Sequence, residues 1–269
     1  MNTANLHRAA LACLLEADPD AKCHCTDTTR AAILAGQLQP APVTLEDVSA
    51  AGRPSRPLLV SPRDLPRRRL NDRSGHAALI HAIAHIEFNA INLAWDAVYR
   101  FQAMPRDYYV DWSRVAAEEA SHFLMLREHL RQLGYDYGAF DAHNGLWEMA
   151  QKTAHDVMVR MALVPRVLEA RGLDVTPGMV ERLTSLGDQR AVQILDVIFR
   201  EEIGHVEIGT RWFRYLCKQR GVDPEQTFTD LLRQYMRGIV RGPFETAARM
   251  QAGFTESEMN MLEEFSLEK

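Results

Sequence analysis

The chain has 269 residues, 46% hydrophobic and 25% charged, with a net charge of −5 and a pI near 6.1. That is length enough for a sizeable core, and the mild acidity gives no global bias toward nucleic acid or membrane. No run approaches the roughly 18 uninterrupted apolar residues that span a bilayer, so no membrane partner is expected. The start, Met1 to Leu15, carries His7 and Arg8 and fails as a signal peptide. Four cysteines, at 13, 23, 25 and 217, are too few for a disulfide framework in a chain this long, so a reducing cytoplasm is the expected location. The Cys23-His24-Cys25 cluster lacks a second ligand pair at metal-site spacing and reads as ordinary thiols.

Residues 1 to about 36 read as one or two short helices. From Gln39 to Arg73 the composition changes, with six prolines (40, 42, 54, 57, 62, 66) and seven arginines (53, 56, 63, 67, 68, 69, 73). Proline fixes φ and removes a donor, so this stretch is expected to be an extended arm. It would lie as a strap over the helices, or offer its arginines to phosphate as an anion- or RNA-binding strip. The chain is accordingly divided into an N-terminal part, 1–73, and a helical part, 74–269. Long helices are expected at about 75–101, 111–133, 146–171 and 188–219. Ser74 and Asp111 are their candidate N-caps, and Gly134 and Gly172 their candidate stops. Thr176-Pro177 is expected to open a shorter helix to about 186, followed by helices at 224–238 and 255–265. No segment alternates with period 2, so the fold class is all-α.

The stripes along three helices carry the chemistry. The first runs Ile80, Ala84, Glu87, Ile91, Ala94, Val98; the second Trp112, Val115, Glu119, His122, Leu126, Leu130; the fourth Ala191, Leu195, Ile198, Glu202, His205, Gly209, Trp212. Each is apolar except near its middle, where a carboxylate, alone or with a histidine, takes a core position. A buried ionised carboxylate costs several kcal/mol unless it is paired or bound to a cation. Glu119 with His122 and Glu202 with His205 are i, i+3 pairs, so each can offer an oxygen and a nitrogen from one helix face. The third helix adds Glu169, four residues after Pro165, whose missing N–H should kink the helix near that level. Glu87 precedes Glu119 by 32 residues and Glu169 precedes Glu202 by 33, so two helical hairpins carry one ligand set at nearly one spacing. A Glu from each of two helices and Glu-x-x-His from two others is the ligand pattern of di-iron carboxylate bundles. The expected centre is therefore two metal ions held by Glu87, Glu119, His122, Glu169, Glu202 and His205. One imidazole per ion and no thiolate suit iron, manganese or a mixed pair. The competing reading is a metal-free buried network of the same side chains. Glu118 and Glu201 point away from their stripes, and His81 and His85 are expected to be structural or surface groups. Arg166, one turn before Glu169, could hold a substrate anion near the metals or form a salt bridge to a ligand carboxylate.

The segments His85-Ile-Glu-Phe-Asn-Ala-Ile, Glu118-Glu-Ala-Ser-His-Phe, Leu163-Val-Pro-Arg-Val-Leu-Glu-Ala-Arg-Gly-Leu-Asp and Glu201-Glu-Ile-Gly-His-Val resemble those of an uncharacterised bacterial family of the ferritin-like superfamily. The likeness extends over nearly the whole chain, including the arm at Arg53 to Arg69. In ligand layout the chain is also similar to di-iron tRNA hydroxylases and, more loosely, to aldehyde-deformylating oxygenases. The resemblance implies a ferritin-like four-helix bundle with extra N- and C-terminal helices, and an O₂-using di-iron enzyme.

The function expected from these readings is an oxygenase or hydroxylase acting on a small molecule or on RNA, with electrons from a reductase. A ferroxidase or other iron-handling protein is the first alternative, although some 70 N-terminal and 50 C-terminal residues outside the bundle suit a ferritin cage poorly. A non-catalytic scaffold braced by its metals is the second. Exposed helical faces suit a homodimer.

Overall fold

Short polar side chains set most helix starts. In a computed structural model describing residues 4–66 and 68–267, the chain is 70% helix and 2% strand, an all-α protein. Residues 1–3, 268, 269 and Arg67 of the arginine-rich stretch lie outside the described residues. In α1 (Leu6–Leu15) the Asn5 side chain accepts from the Arg8 N–H, and in α2 (Pro19–Leu34) Asp18 accepts from Ala21 N–H with Pro19 in the first turn. Among the described residues, strand is limited to a two-residue parallel pairing, β1 (Ala4–Asn5) with β2 (Leu38–Gln39), and an isolated bridge between Leu59 and Ala142.

The chain divides into two units, Met1–Gln151 and Lys152–Lys269; the composition change near residue 73 falls inside the first. That unit is built on a helical hairpin of α3 (Arg73–Arg100) and α4 (Arg106–Gln132), with α1 packed on α3 and α2 packed on α4. α3 starts after Asp72 rather than Ser74. α4 starts five residues earlier than its sequence suggested, because Pro105 takes the N-cap position and Asp111 lies inside the helix. Gly134, at φ +86°, ends α4 in the left-handed conformation that glycine adopts at little cost. α3 is buried on nearly every face from Ile80 to Val98, because it is the core of this unit. It is long and apolar enough to cross a membrane by length and composition, but 78% of the qualifying stretch is buried within the fold.

Among its described residues between β2 and α3, the Pro/Arg stretch holds a short 3₁₀ turn at Pro62–Asp64 and the Leu59 bridge as its regular structure. It is tied down as a strap. Tyr99 Oη accepts from Glu46 N–H (2.6 Å), Gln102 Oε1 from Val43 N–H (2.8 Å), and residues 58 and 60 exchange backbone hydrogen bonds with Ala142. Ser49 O accepts from Trp147 and Gln151 of α5 (Gly145–Lys152).

The second unit differs most from expectation. The single helix expected at 146–171 is broken into α5, which straddles the division between the units, then α6 (Val157–Leu163) and a π segment (Val164–Glu169) that runs into α7 (Ala170–Ser185). Asp156 starts α6 by accepting from Met158 and Val159 N–H, and holds Arg220 in a two-pronged ion pair (2.6 and 2.8 Å). Gly172 and Pro177, expected to stop one helix and start another, both lie inside α7, which packs on α8 (Gln189–Arg220). α8 is capped by Asp188 and ends at Gly221, φ +66°. Three shorter helices follow: α9 (Pro224–Tyr235), α10 (Thr246–Gln251) and α11 (Glu256–Leu267).

Candidate metal centre

In the first unit Glu87, near the middle of α3, meets Glu119 and His122 from α4. All three are buried, and each offers a ligand atom within 4.8 Å of the others. His122 Nδ1 is 3.0 Å from Glu87 Oε2 and 3.4 Å from Glu119 Oε2. The i, i+3 spacing aims both α4 groups at α3. Around them the helices are apolar: Phe88 and Phe123 lie 5.3 Å apart, and Ala84, Ile91, Val115 and Ala116 are fully buried.

Burial, and then the neighbouring Glu119 charge, push the Glu87 carboxyl well above its ordinary range, while His122 pulls in the opposite direction. Burial also opposes charge on His122, but hydrogen bonds and charges from Glu119 and Glu87 raise its imidazole to about 11. Both shifts have one cause: two carboxylates buried side by side favour a proton, or another positive charge, between them. Fully ionised, with a protonated imidazole, the three groups sum to −1. With a divalent cation and a neutral imidazole they sum to zero. Two carboxylates and an imidazole in an apolar interior could thus hold a metal ion, with the cation replacing the proton.

In the second unit Glu202 and His205 share a face of α8, Nδ1 to Oε2 3.7 Å, with His205 fully buried and Glu202 9% exposed. Glu169 closes the π segment, also 9% exposed. There the Ala170 N–H reaches back five residues to Pro165 O, the wide turn of a π segment. The segment packs directly on α8. A Cβ at Gly209 would overlap Cβ and Cγ of Pro165, so only glycine permits this approach one turn beyond His205. In the sequence Gly209 sat in the apolar stripe where a large side chain was due, and that gap was the available signal.

Arg166 is fully buried with its guanidinium turned to Glu258 of α11, and it lies over the rings of Phe228, Phe254 and Phe213 at 4.0, 4.6 and 4.8 Å. Its partner is thus a carboxylate outside the six expected ligands. Glu258 also takes Arg214 (3.3 Å) and the Thr255 N–H (3.0 Å). No sequence pattern linked residues 166 and 258. His81 and His85 hold the 133–144 loop: His81 Nε2 accepts from Gly138 N–H (2.9 Å), and His85 Nδ1 lies 2.8 Å from Tyr137 Oη. Glu118 pairs with Arg114 (3.4 Å), away from the triad.

A family model described as "Protein of unknown function (DUF455)" matches residues 15–260, and the chain belongs to that family. It is 48% identical over 262 residues to an "Uncharacterized protein" of Haemophilus influenzae, covering 93% of this chain and 91% of the relative. No solved structure matches the chain.

Proposed function

We propose that this family member is a dimetal carboxylate protein of the ferritin-like kind, with iron as the resident metal, and that it is an O₂-dependent oxygenase or hydroxylase. The observation that carries the reading is the repeated donor set: a glutamate, then Glu-x-x-His 32 or 33 residues later, on each of two helical hairpins, with every member buried. Glu87, Glu119 and His122 would serve one half of the set and Glu169, Glu202 and His205 the other. Two such ions, when bound, supply redox chemistry with O₂ that no side chain here could supply. The chain's own residues do the rest. The apolar packing of Phe88, Phe123 and Ile91 keeps water from the triad, and the α3–α4 hairpin fixes the His122 ring between two carboxylates. Arg166, held by Glu258, acts as a positioning residue that sets the π segment bearing Glu169. The substrate would be a small organic molecule or RNA, with electrons from a separate reductase.

The test is anaerobic loading with ferrous iron followed by exposure to O₂, read as iron oxidation and O₂ uptake per chain. Oxidation that stops at about two iron per chain, and turns over when a chemical reductant is added, supports an oxygenase. Continued uptake with growth of iron-loaded particles would make the protein an iron-storing ferroxidase. Bound ferrous iron that does not react with O₂ would leave a scaffold and sink the oxygenase reading.

A further inference from the structure

The α1–α2 pair of the first unit brings two thiols together, apart from the carboxylates. Cys13 Sγ on α1 and Cys25 Sγ on α2 are 2.7 Å apart, well inside ordinary sulfur–sulfur contact, and both are unbridged thiols. Their backbones are therefore already placed within reach of an S–S bond of about 2.05 Å. Lys22 fixes this approach. Although fully buried, it donates from Nζ to the last carbonyls of α1, Cys13 O (2.7 Å) and Leu14 O (3.0 Å), pinning that end to α2. Thr29 Oγ1 lies 3.2 Å from Cys13 Sγ on the other side.

The two thiols differ in a way that orders the chemistry. Cys13 is completely buried, whereas Cys25 reaches solvent in part. The Cys13 hydrogen bond, against some desolvation, and then Thr29 and the Lys22 charge bring the Cys25 thiol down to about 6. Cys13 is raised by its bond to Cys25 and by burial. Accessible thiolate beside a sheltered thiol is the arrangement of a redox-sensing pair.

We propose that Cys25 and Cys13 form a reversible redox couple, in which a hydroperoxide oxidises Cys25 and Cys13 closes the disulfide. The Cys25 thiolate attacks one peroxide oxygen and the O–O bond breaks. The departing hydroxide takes a proton to become water, leaving a sulfenic acid on Cys25. Cys13 sulfur then attacks Cys25 sulfur, the S–O bond breaks, and the Cys13 proton leaves with the hydroxide as a second water. One hydrogen peroxide is reduced by two electrons, two thiols are oxidised to one disulfide, and a dithiol reductant restores them. The bridge would fasten α1, which backs α3, to α2, which backs α4. Cys23 is not part of the couple. Its thiol is buried toward Ala120 O (3.9 Å), and burial raises it to about 12.

The experiment treats the full chain with a small excess of hydrogen peroxide, blocks remaining thiols, and maps tryptic peptides without reduction. Trypsin separates Cys13 in residues 9–22 from Cys23 and Cys25 in residues 23–30. The expected result is one 9–22 to 23–30 cross-link, two hydrogens lighter than its parts and lost on reduction. It should persist in Cys23→Ser and disappear in Cys25→Ser and in Cys13→Ser. In untreated protein at pH 7, iodoacetamide should label Cys25 about tenfold faster than Cys23. A bridge confined to 23–30, or Cys25 over-oxidised with Cys13 still a free thiol, would overturn the proposal.

Discussion

His122 Nδ1 on α4 lies 3.0 Å from Glu87 Oε2 on α3, and this contact joins the two helices of the first unit through a buried charge pair. Such a pair adds little net stability while intact, but removing one partner leaves a carboxylate in an apolar interior. His122→Ala is therefore expected to cost about 3–5 kcal/mol in chelator-treated protein. Adding Glu87→Leu should return part of that loss, since it removes the stranded charge. Urea unfolding of the single and double variants decides it; losses that simply add would mean the two groups are uncoupled.

Gly209 and Pro165 set the approach of the π segment to α8. Gly209→Ala is expected to destabilise the second unit by about 1–3 kcal/mol through overpacking against a rigid ring. Gly172→Ala, where a Cβ meets nothing within 4 Å and the site is helical, should be neutral or slightly stabilising. Thermal unfolding of both variants checks the contrast.

Arg166 and Glu258 form a fully buried ion pair. Arg166→Met should cost about 1–3 kcal/mol, because Glu258 loses its buried partner and keeps only Arg214 and the Thr255 N–H, and Arg166→Lys should fail to rescue because a point charge loses the planar contact with three phenyl rings. A lysine variant as stable as wild type in urea would contradict this account of the site.

His81 gives a pH dependence. Burial, then the charges of His85 and Arg68, lower its imidazole from 6.5 to about 4. The folded protein thus binds fewer protons than the unfolded chain between those values. The stability His81 contributes is present above about pH 6.5 and is lost as pH falls toward 4, on the order of 3 kcal/mol in all. Acid titration of urea stability should show this slope in wild type and a shallower one in His81→Asn. Equal slopes would remove His81 from the cause.

The sequence made α3, α4 and α8 legible because their stripes are long and interrupted only at Glu87, at Glu119 with His122, and at Glu202 with His205. The third helix departs from its expected course because its shape depends on distant partners. Pro165 announces a break, but a π turn rather than a kink follows from its packing on Gly209, 44 residues later. Pro177 looked like a helix start, yet α7 runs through it where it packs on α8. The prolines of the strap excluded helix but could not show that Tyr99, Gln102 and Ala142 anchor it. Nothing in the spacing of Cys13 and Cys25, or of Arg166 and Glu258, marks them as neighbours; those contacts arise only once separate helices pack.

The most direct measurement is metal per chain, by plasma mass spectrometry, on protein produced with ample iron. Glu119→Ala and Glu202→Ala would be run beside it, with circular dichroism to confirm that both retain their helices. The expected result is about two iron, or iron with manganese, per wild-type chain, and loss of metal in each variant with helix content retained. Wild-type protein that binds no metal, even after anaerobic incubation with ferrous iron, would contradict it and leave the six residues as a buried polar network.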